Sequence, residues 1–156
     1  QSYTRVTRIV TGDVRDAAAV VRAMNELAAH TAVPNLTDSD IESMRIANTR
    51  FDVASRRGDL DAAMEADDDL HRVLLEACAN FAVIETVERY TPLIRRLERR
   101  LFSTESARRS VHLHDRLIEA CTERDSKTAT LITGEIWRAL EAARVKSFET
   151  VLESIQ

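Results

Sequence analysis

Apolar residues recur at intervals of three or four along most of this chain, which is the spacing of positions on one side of an α-helix. The clearest case is the segment LDAAMEADDDLHRVLLEAC at residues 60–78. Its apolar positions form one stripe, which comprises Leu60, Ala63, Met64, Leu74, Ala77 and Cys78. Asp67 and His71 fill the gap in this stripe, and because they are four residues apart they lie on the same face. The pattern predicts a helix that directs an ionisable pair toward the interior, where an unpaired charge is costly.

Five further helices are predicted from the same spacing, and residues that cap or break helices mark their ends. Asp13 is a candidate N-terminal cap, and Pro34 ends the first helix. Thr37 and Asp40 have the spacing of a capping box, and Gly58 suits the end of the second helix. The six predicted helices cover residues 12–33, 37–57, 60–78, 81–102, 106–124 and 126–153. An all-α fold follows.

Three residues carry further local predictions. Ile46 is counted among the apolar residues that the second helix directs inward. Asn80 is expected to end the third helix in a left-handed conformation. Pro92 lies inside the fourth helix, and because proline removes a hydrogen bond and clashes with the preceding turn, a kink or break is expected near residues 90–91.

Composition narrows the class of protein. With 156 residues, three Gly and two Pro, the chain is expected to form one almost entirely helical domain. Its formal net charge of −4 argues against nucleic-acid binding by this chain alone. The sequence shows no membrane span and no N-terminal signal pattern, so a soluble, cytoplasmic protein is expected. Cys78 and Cys121 fall on apolar faces and are expected to be buried thiols in a reducing compartment.

A basic cluster in the fourth helix is expected to be a solvated face that pairs partly with Glu88 and Glu98. No aromatic residue interleaves it, so it is a weak candidate for nucleic-acid binding. Its members, which Arg108 and Arg109 extend in sequence, are Arg95, Arg96, Arg99 and Arg100.

A second histidine, His114, falls in the apolar stripe of the fifth helix, whereas His112 points to the other side. One carboxylate and two imidazoles are an acceptable partial shell for a divalent transition metal such as Zn, Ni, Fe or Mn. The residues alone leave two interpretations open. Asp67 and His71 form an ion pair on the helix surface, or they form an interior site that His114 completes.

Other chemistries lack the residues that they require. A di-iron bundle needs Glu-x-x-His helices, and the chain contains no such motif. It has no glycine-rich phosphate loop and no Ser or Cys in the setting of an activated nucleophile. A metal-dependent enzyme acting on a small organic acid stays an alternative, because three ligands with one open position also describe a catalytic site. No general base is evident, since Asp67 is already assigned as a ligand.

Several segments, taken in order, carry a family resemblance: Val14-Arg15-Asp16, Val21-Arg22 with ELAA at 26–29, DDDLHRVLLEACAN at 67–80, and HDRLIEA at 114–120 followed by Asp125. They resemble the FCD domain, the C-terminal effector-binding domain of the FadR-type GntR transcription regulators, over residues 12–151. The resemblance implies an antiparallel bundle of six to seven helices that forms a homodimer and is not an enzyme. It also implies a central cavity for a small metabolite, commonly an organic acid, often bound through a metal.

The resemblance assigns residues as well. It implies that Asp67, His71 and His114 are metal ligands, with Zn, Ni or Mn as candidate ions. The histidine that the family's last helix would contribute falls on Ile136, so the fourth protein ligand is missing. The three polar groups together with Arg22, which matches a basic residue of the family's first helix, are the expected effector-binding residues.

In the family, a separate N-terminal winged helix-turn-helix domain holds the DNA. Residues 1–11 are therefore expected to be the linker from such a domain, which is absent from this chain, and residues 12–156 the effector-binding and dimerisation domain. An effector would shift the population of dimer geometries and so change the spacing of the two DNA-binding domains. Two further alternatives are direct effector binding without a metal and a metal-free dimerisation bundle.

Overall fold

A computed structural model describes the backbone of residues 11–153 and the side chains of residues 14–139. Over this range the chain forms six α-helices and one short 3-10 turn, Val33–Asn35. The helices are α1 Thr11–Ala32, α2 Asp38–Arg57, α3 Leu60–Cys78, α4 Phe81–Leu101, α5 Thr104–Thr122 and α6 Ser126–Glu153. The described residues contain no strand, and the predicted all-α bundle is confirmed. Helix α1 begins at Thr11, inside the expected linker, and residues 1–10 of that linker lie outside the described range.

Most helix ends follow the capping chemistry of the sequence, with two exceptions. Asp13, predicted as an N-terminal cap, lies inside α1, which begins at Thr11. Thr37 and Asp40 form the predicted capping box, in which each backbone N–H donates to the other side chain at 2.8 and 3.0 Å. Gly58 ends α2 with φ at 72°. The prediction for Asn80 is wrong: Ala79 takes the left-handed conformation with φ at 52°, and Asn80 instead caps α4 by accepting a hydrogen bond from the Val83 N–H.

Helix α4 runs without a break through Pro92, so the expected break is not found. Val87 and Ile94 are buried on either side of the proline, whereas Pro92 itself is exposed. Because both halves of the helix bury apolar side chains, tertiary packing outweighs the loss of one backbone hydrogen bond.

The core lies where α3 packs against α1, α2 and α4, while α5 and α6 close the bundle against α2 and α1. Met44, Leu70 and Leu117 are among the largest fully buried side chains. Ile46 does not join them and is 53% exposed, contrary to the prediction. At about 100° per residue, Ile46 sits roughly 200° around α2 from the buried Met44, so it faces solvent.

The cysteines are placed as predicted, since Cys78 and Cys121 are both free and buried. Burial raises the pKa of the Cys121 thiol to about 12, so it is not an activated nucleophile. None of the described helices is long and apolar enough to span a bilayer.

Candidate metal and effector site

Two helices bring three titratable side chains to one point inside the bundle. Helix α3 supplies Asp67 and His71, and α5 supplies His114. The Nε2 atoms of His71 and His114 lie 3.5 and 3.3 Å from the same oxygen of Asp67, Oδ1. One ligand atom from each residue falls within 4.8 Å of the others. His114 is fully buried and His71 is 7% exposed, so these side chains do not form a surface ion pair.

Asn48 on α2 holds the far side of the His114 ring. The Asn48 side-chain oxygen lies 3.0 Å from His114 Nδ1. The amide nitrogen of Asn48 donates to the Val111 carbonyl at 3.2 Å and to the Asp115 carboxylate at 2.7 Å. Phe51 packs edge-on against the same ring. The ring is therefore held at Nδ1 by Asn48 and contacted by Phe51, while Nε2 faces Asp67.

Charge is distributed unevenly over the three side chains. Burial alone would raise the pKa of Asp67, but the neighbouring His71 and His114 hold that pKa well below its usual range. Burial opposes protonation of His71 too, yet the carboxylates of Asp67 and Glu98 raise the pKa of His71. At His114 burial dominates and lowers the pKa. The pKa shifts thus favour the charged form of Asp67, the protonated form of His71 and the neutral form of His114.

Helix α4 adds a cation on the opposite side of Asp67. The Arg95 guanidinium lies 3.2 Å from Asp67 Oδ2 and also pairs with Asp68 and Glu98. The prediction of a solvated basic face is therefore wrong for Arg95, whose side chain is only 18% exposed. The prediction of a solvated position is confirmed for Arg96, which is exposed. Sequence reasoning missed Arg95 because its carboxylate partners come largely from α3, which the one-dimensional pattern does not bring next to it.

Glu98 is the second functional candidate that the sequence did not single out. Burial raises its pKa, Arg95 lowers it and Asp67 raises it again, with the result that the pKa of Glu98 lies at about 7. It lines the same cavity as Asp67 and His71. A carboxyl group poised near neutrality in a cavity is a candidate proton acceptor or donor.

A cavity of about 110 Å³ opens beside the three site residues. Such a volume is several times the roughly 10–15 Å³ that one water molecule needs on this measure, so a compact ligand fits. Its wall is largely apolar, including Phe51, Phe102 and Ile136, and Ser110 adds a hydroxyl. Ile136 thus lines the cavity from α6, at the position where the resemblance implies a fourth ligand, and cannot coordinate an ion.

Arg22, the remaining residue predicted for the site, is not brought to this cavity. It is half-buried on α1, with its Nε atom 4.0 Å from a carboxylate oxygen of Glu26, and does not line the wall. Trp137, next to Ile136, does line the wall, and its ring packs against the His71 ring with the centroids 5.8 Å apart.

The donor set fits a divalent transition metal ion. His114 Nε2 is buried and makes no aligned hydrogen bond, although Asp67 Oδ1 is 3.3 Å away. A buried imidazole nitrogen that faces a carboxylate oxygen without a proton aligned between them is a position that a cation would stabilise. Two imidazole nitrogens and one carboxylate oxygen leave a tetrahedral ion one open position.

Comparison with known proteins agrees with the fold. The sequence profile of the FCD domain matches residues 13–139. The structure is similar to that of E. coli McbR/YncC, with a TM-score of 0.80 and 14% sequence identity, over 94% of this chain and 77% of that chain. At this identity the likeness shows the fold alone. A comparison with curated protein sequences gives no match. Since the profile match covers most of the chain, the protein belongs to the FCD domain family.

Proposed function

We propose that this chain is the ligand-sensing and dimerisation domain of a GntR/FadR-type transcription regulator. Membership of the FCD family supports this assignment. The observation that carries it is the convergence of Asp67, His71 and His114 at a cavity, with the Nε2 atom of His114 buried and without an aligned hydrogen bond. A solvated helix surface would not concentrate these groups in an apolar interior, where each must be compensated.

We further propose that Asp67, His71 and His114 hold a divalent ion such as Zn, Ni or Mn. When bound, the ion supplies a Lewis-acidic position that accepts an oxygen of a small organic acid. The lowered pKa of His114 favours the neutral imidazole that coordinates an ion, whereas the raised pKa of His71 makes protons compete with the ion at that residue. The apolar wall around Phe51 and Phe102 excludes water from the rest of the ligand.

Signal transmission in this proposal uses the helices that carry the site. Helix α3 contacts α1, α2 and α4, so a change in how the ligand holds Asp67 and His71 acts on most of the bundle. An effector that binds one helix arrangement better than another shifts the population between them. In a homodimer, the shift alters the spacing of the two N-terminal DNA-binding domains.

The proposal is tested on protein purified without a chelator or a His-tag. We expect elemental analysis and native mass spectrometry to report a bound divalent ion and a dimer. Organic acids should then raise the melting temperature only while the ion is present. Asp67→Ala and His114→Ala should abolish both effects, and His112→Ala on the exposed side of α5 is the matched control. The assignment is wrong if the two site variants behave like the control.

Two observations favour other functions, metal-free effector binding and enzymatic turnover, which the same experiment would detect. Arg95 already neutralises one oxygen of Asp67, which favours direct binding of the effector without an ion. Stabilisation by an organic acid in the presence of EDTA would show that route. The pKa of Glu98 near 7 favours an enzyme, since it provides the proton acceptor that the sequence did not reveal. Turnover of the stabilising acid, lost in Glu98→Gln, would identify that activity.

A further inference from the structure

Asn48 is a buried amide in an apolar stripe of α2. It is 4% exposed and follows the inward-facing residues Ile41 and Met44 at helical spacing. An amide in such a position is costly unless its donors and acceptor are all satisfied. The partners of Asn48 come from α5, and one of them is the ring of His114.

The neighbours of Asn48 determine which way its amide points. The Val111 carbonyl and the Asp115 carboxylate are acceptors only, and they lie 3.2 and 2.7 Å from one end of the amide. That end must be the NH₂ group, because an oxygen there would face two other oxygens. The end that lies 3.0 Å from His114 Nδ1 is therefore the amide oxygen.

The orientation of the amide in turn determines the tautomer of His114. An amide oxygen cannot donate, so the hydrogen bond at 3.0 Å requires a proton on Nδ1. A neutral imidazole carries only one such proton, which leaves Nε2 with a free lone pair. This agrees with the absence of an aligned hydrogen bond from Nε2 to Asp67. Without Asn48, the carboxylate of Asp67 would favour the opposite tautomer, with the proton on Nε2 and the coordinating position blocked.

We propose that Asn48 is a positioning residue that holds His114 in its Nδ1–H form and keeps Nε2 open to coordinate a metal ion. The inference rests on the proposed function for the ion, but the tautomer itself can be observed without any ion. Asp115 belongs to the same hydrogen-bond network, because its carboxylate accepts a hydrogen bond from the amide nitrogen of Asn48. The hydrogen-bonded series Asp115–Asn48–His114 thus links the surface of α5 to the site.

The test is long-range ¹H–¹⁵N spectroscopy of the histidine side chains in the whole chain, recorded with chelator. The wild-type protein should show a protonated Nδ1 and an unprotonated Nε2 for His114. Asn48→Leu, which has a similar volume and no acceptor, should move the proton toward Nε2. It should also weaken Zn²⁺ binding, measured by competition with a chromophoric chelator, by about 10- to 100-fold, as loss of an outer partner of a ligating histidine does.

Two control variants separate positioning from general stability. Asp115→Asn keeps an acceptor, its amide oxygen, opposite the Asn48 nitrogen, while the Val111 carbonyl is unchanged, so it should retain both the Nδ1–H tautomer and Zn²⁺ affinity. Asn25→Leu removes another amide that is 4% exposed, but one that bonds only within α1, to the Val21 carbonyl. It should change neither readout.

Several results would overturn the inference. A wild-type spectrum with the proton on Nε2 would do so without any variant, and so the test does not depend on Asn48→Leu folding. An unchanged tautomer and affinity in Asn48→Leu would do the same, as would a loss of both in Asn25→Leu. If the wild-type chain binds no ion at all but shows the Nδ1–H form, the proposed metal site fails while the tautomer assignment stands.

Discussion

The two sides of the Asp67 carboxylate differ in how their charge is satisfied. Oδ1 faces two imidazoles, from His71 and His114, at 3.5 and 3.3 Å. Oδ2 faces the Arg95 guanidinium at 3.2 Å, and Arg95 also pairs with Glu98. The guanidinium side has a permanent cation, since arginine stays protonated at any physiological pH. The imidazole side has only titratable groups, which exchange protons with solvent.

This difference indicates which side can take up a cation from solution. An ion on the guanidinium side would compete with a buried arginine that already has three carboxylate partners. An ion on the imidazole side would compete only with protons and would meet a buried His114 nitrogen that lacks an aligned hydrogen bond. The guanidinium side therefore anchors Asp67, and the imidazole side is where binding occurs. The predictions below separate these two roles.

The largest effect is expected from Asp67→Asn, which removes the charge that both sides share. Arg95 and His71 would lose their common counter-ion in a buried setting, and breaking such a pair costs about 3–5 kcal/mol. Ion binding should also be lost, because the carboxylate ligand is gone. Urea unfolding and a metal titration measure the two effects.

Asp69→Asn provides the control for Asp67→Asn. Asp69 is a neighbour on α3 that pairs with Arg50 and Arg72 at the surface. Exposed pairs contribute only about 0–1 kcal/mol, so ion binding and most of the stability should persist in this variant. Equal losses in the two variants would contradict the central role of Asp67.

A smaller effect is expected from Arg95→Met, which removes the cation of the guanidinium side alone. Glu98, with its pKa already at about 7, can take up a proton and limit the cost. We expect a loss of about 1–3 kcal/mol in the free energy of unfolding, as for a buried group left without a partner. Zn²⁺ should still bind, because His71 and His114 are untouched. Loss of ion binding with a normally folded Arg95→Met would show that the two sides are not separable.

The smallest effect is the pH dependence. The folded-state pKa values of His71 and Glu98 are raised, so their contribution to stability is present at low pH and is lost as pH rises through those values. The lowered pKa of His114 acts in the opposite direction. Since two groups have raised pKa values and one has a lowered value, the free energy of unfolding of chelator-treated protein should show a net fall between about pH 5 and pH 8. Asp67, whose pKa is lowered, adds stability that is lost only in acid.

Ion binding should show the opposite slope and tighten as pH rises, because protons compete with the ion for His71, whose pKa is raised. Urea titrations at several pH values, with chelator and with Zn²⁺, measure both slopes. A rise in the stability of the chelator-treated protein over this range would contradict the assigned charges.

The sequence predicts the part of the site that follows helical periodicity. Asp67, His71 and His114 were identifiable because each interrupts an apolar stripe, and the bounds of α3 and α6 are as predicted. Arg95 could not be recognised, since its environment depends on how α4 crosses α3. Periodicity also cannot show that packing carries α4 through Pro92 or that Ala79 takes the left-handed position.

Asn48 is a polar residue that the apolar pattern of α2 places inside the bundle. It occupies an inward position of α2 between Met44 and Phe51, as Asp67 does in α3. An amide does not titrate, but a buried amide needs hydrogen-bond partners for the same physical reason as a buried carboxylate. Its functional meaning still depends on the ring that it meets, which only the arrangement of α2 against α5 reveals.

The most direct test of the account is X-ray absorption or anomalous scattering at the zinc edge, on crystals or solutions of the chain loaded with one equivalent of Zn²⁺. The account predicts one ion on the imidazole side of Asp67, bound by two imidazole nitrogens and one carboxylate oxygen at about 2.0–2.2 Å, with water or a ligand oxygen in the remaining position. An ion found elsewhere, or a shell without both His71 and His114, would contradict it.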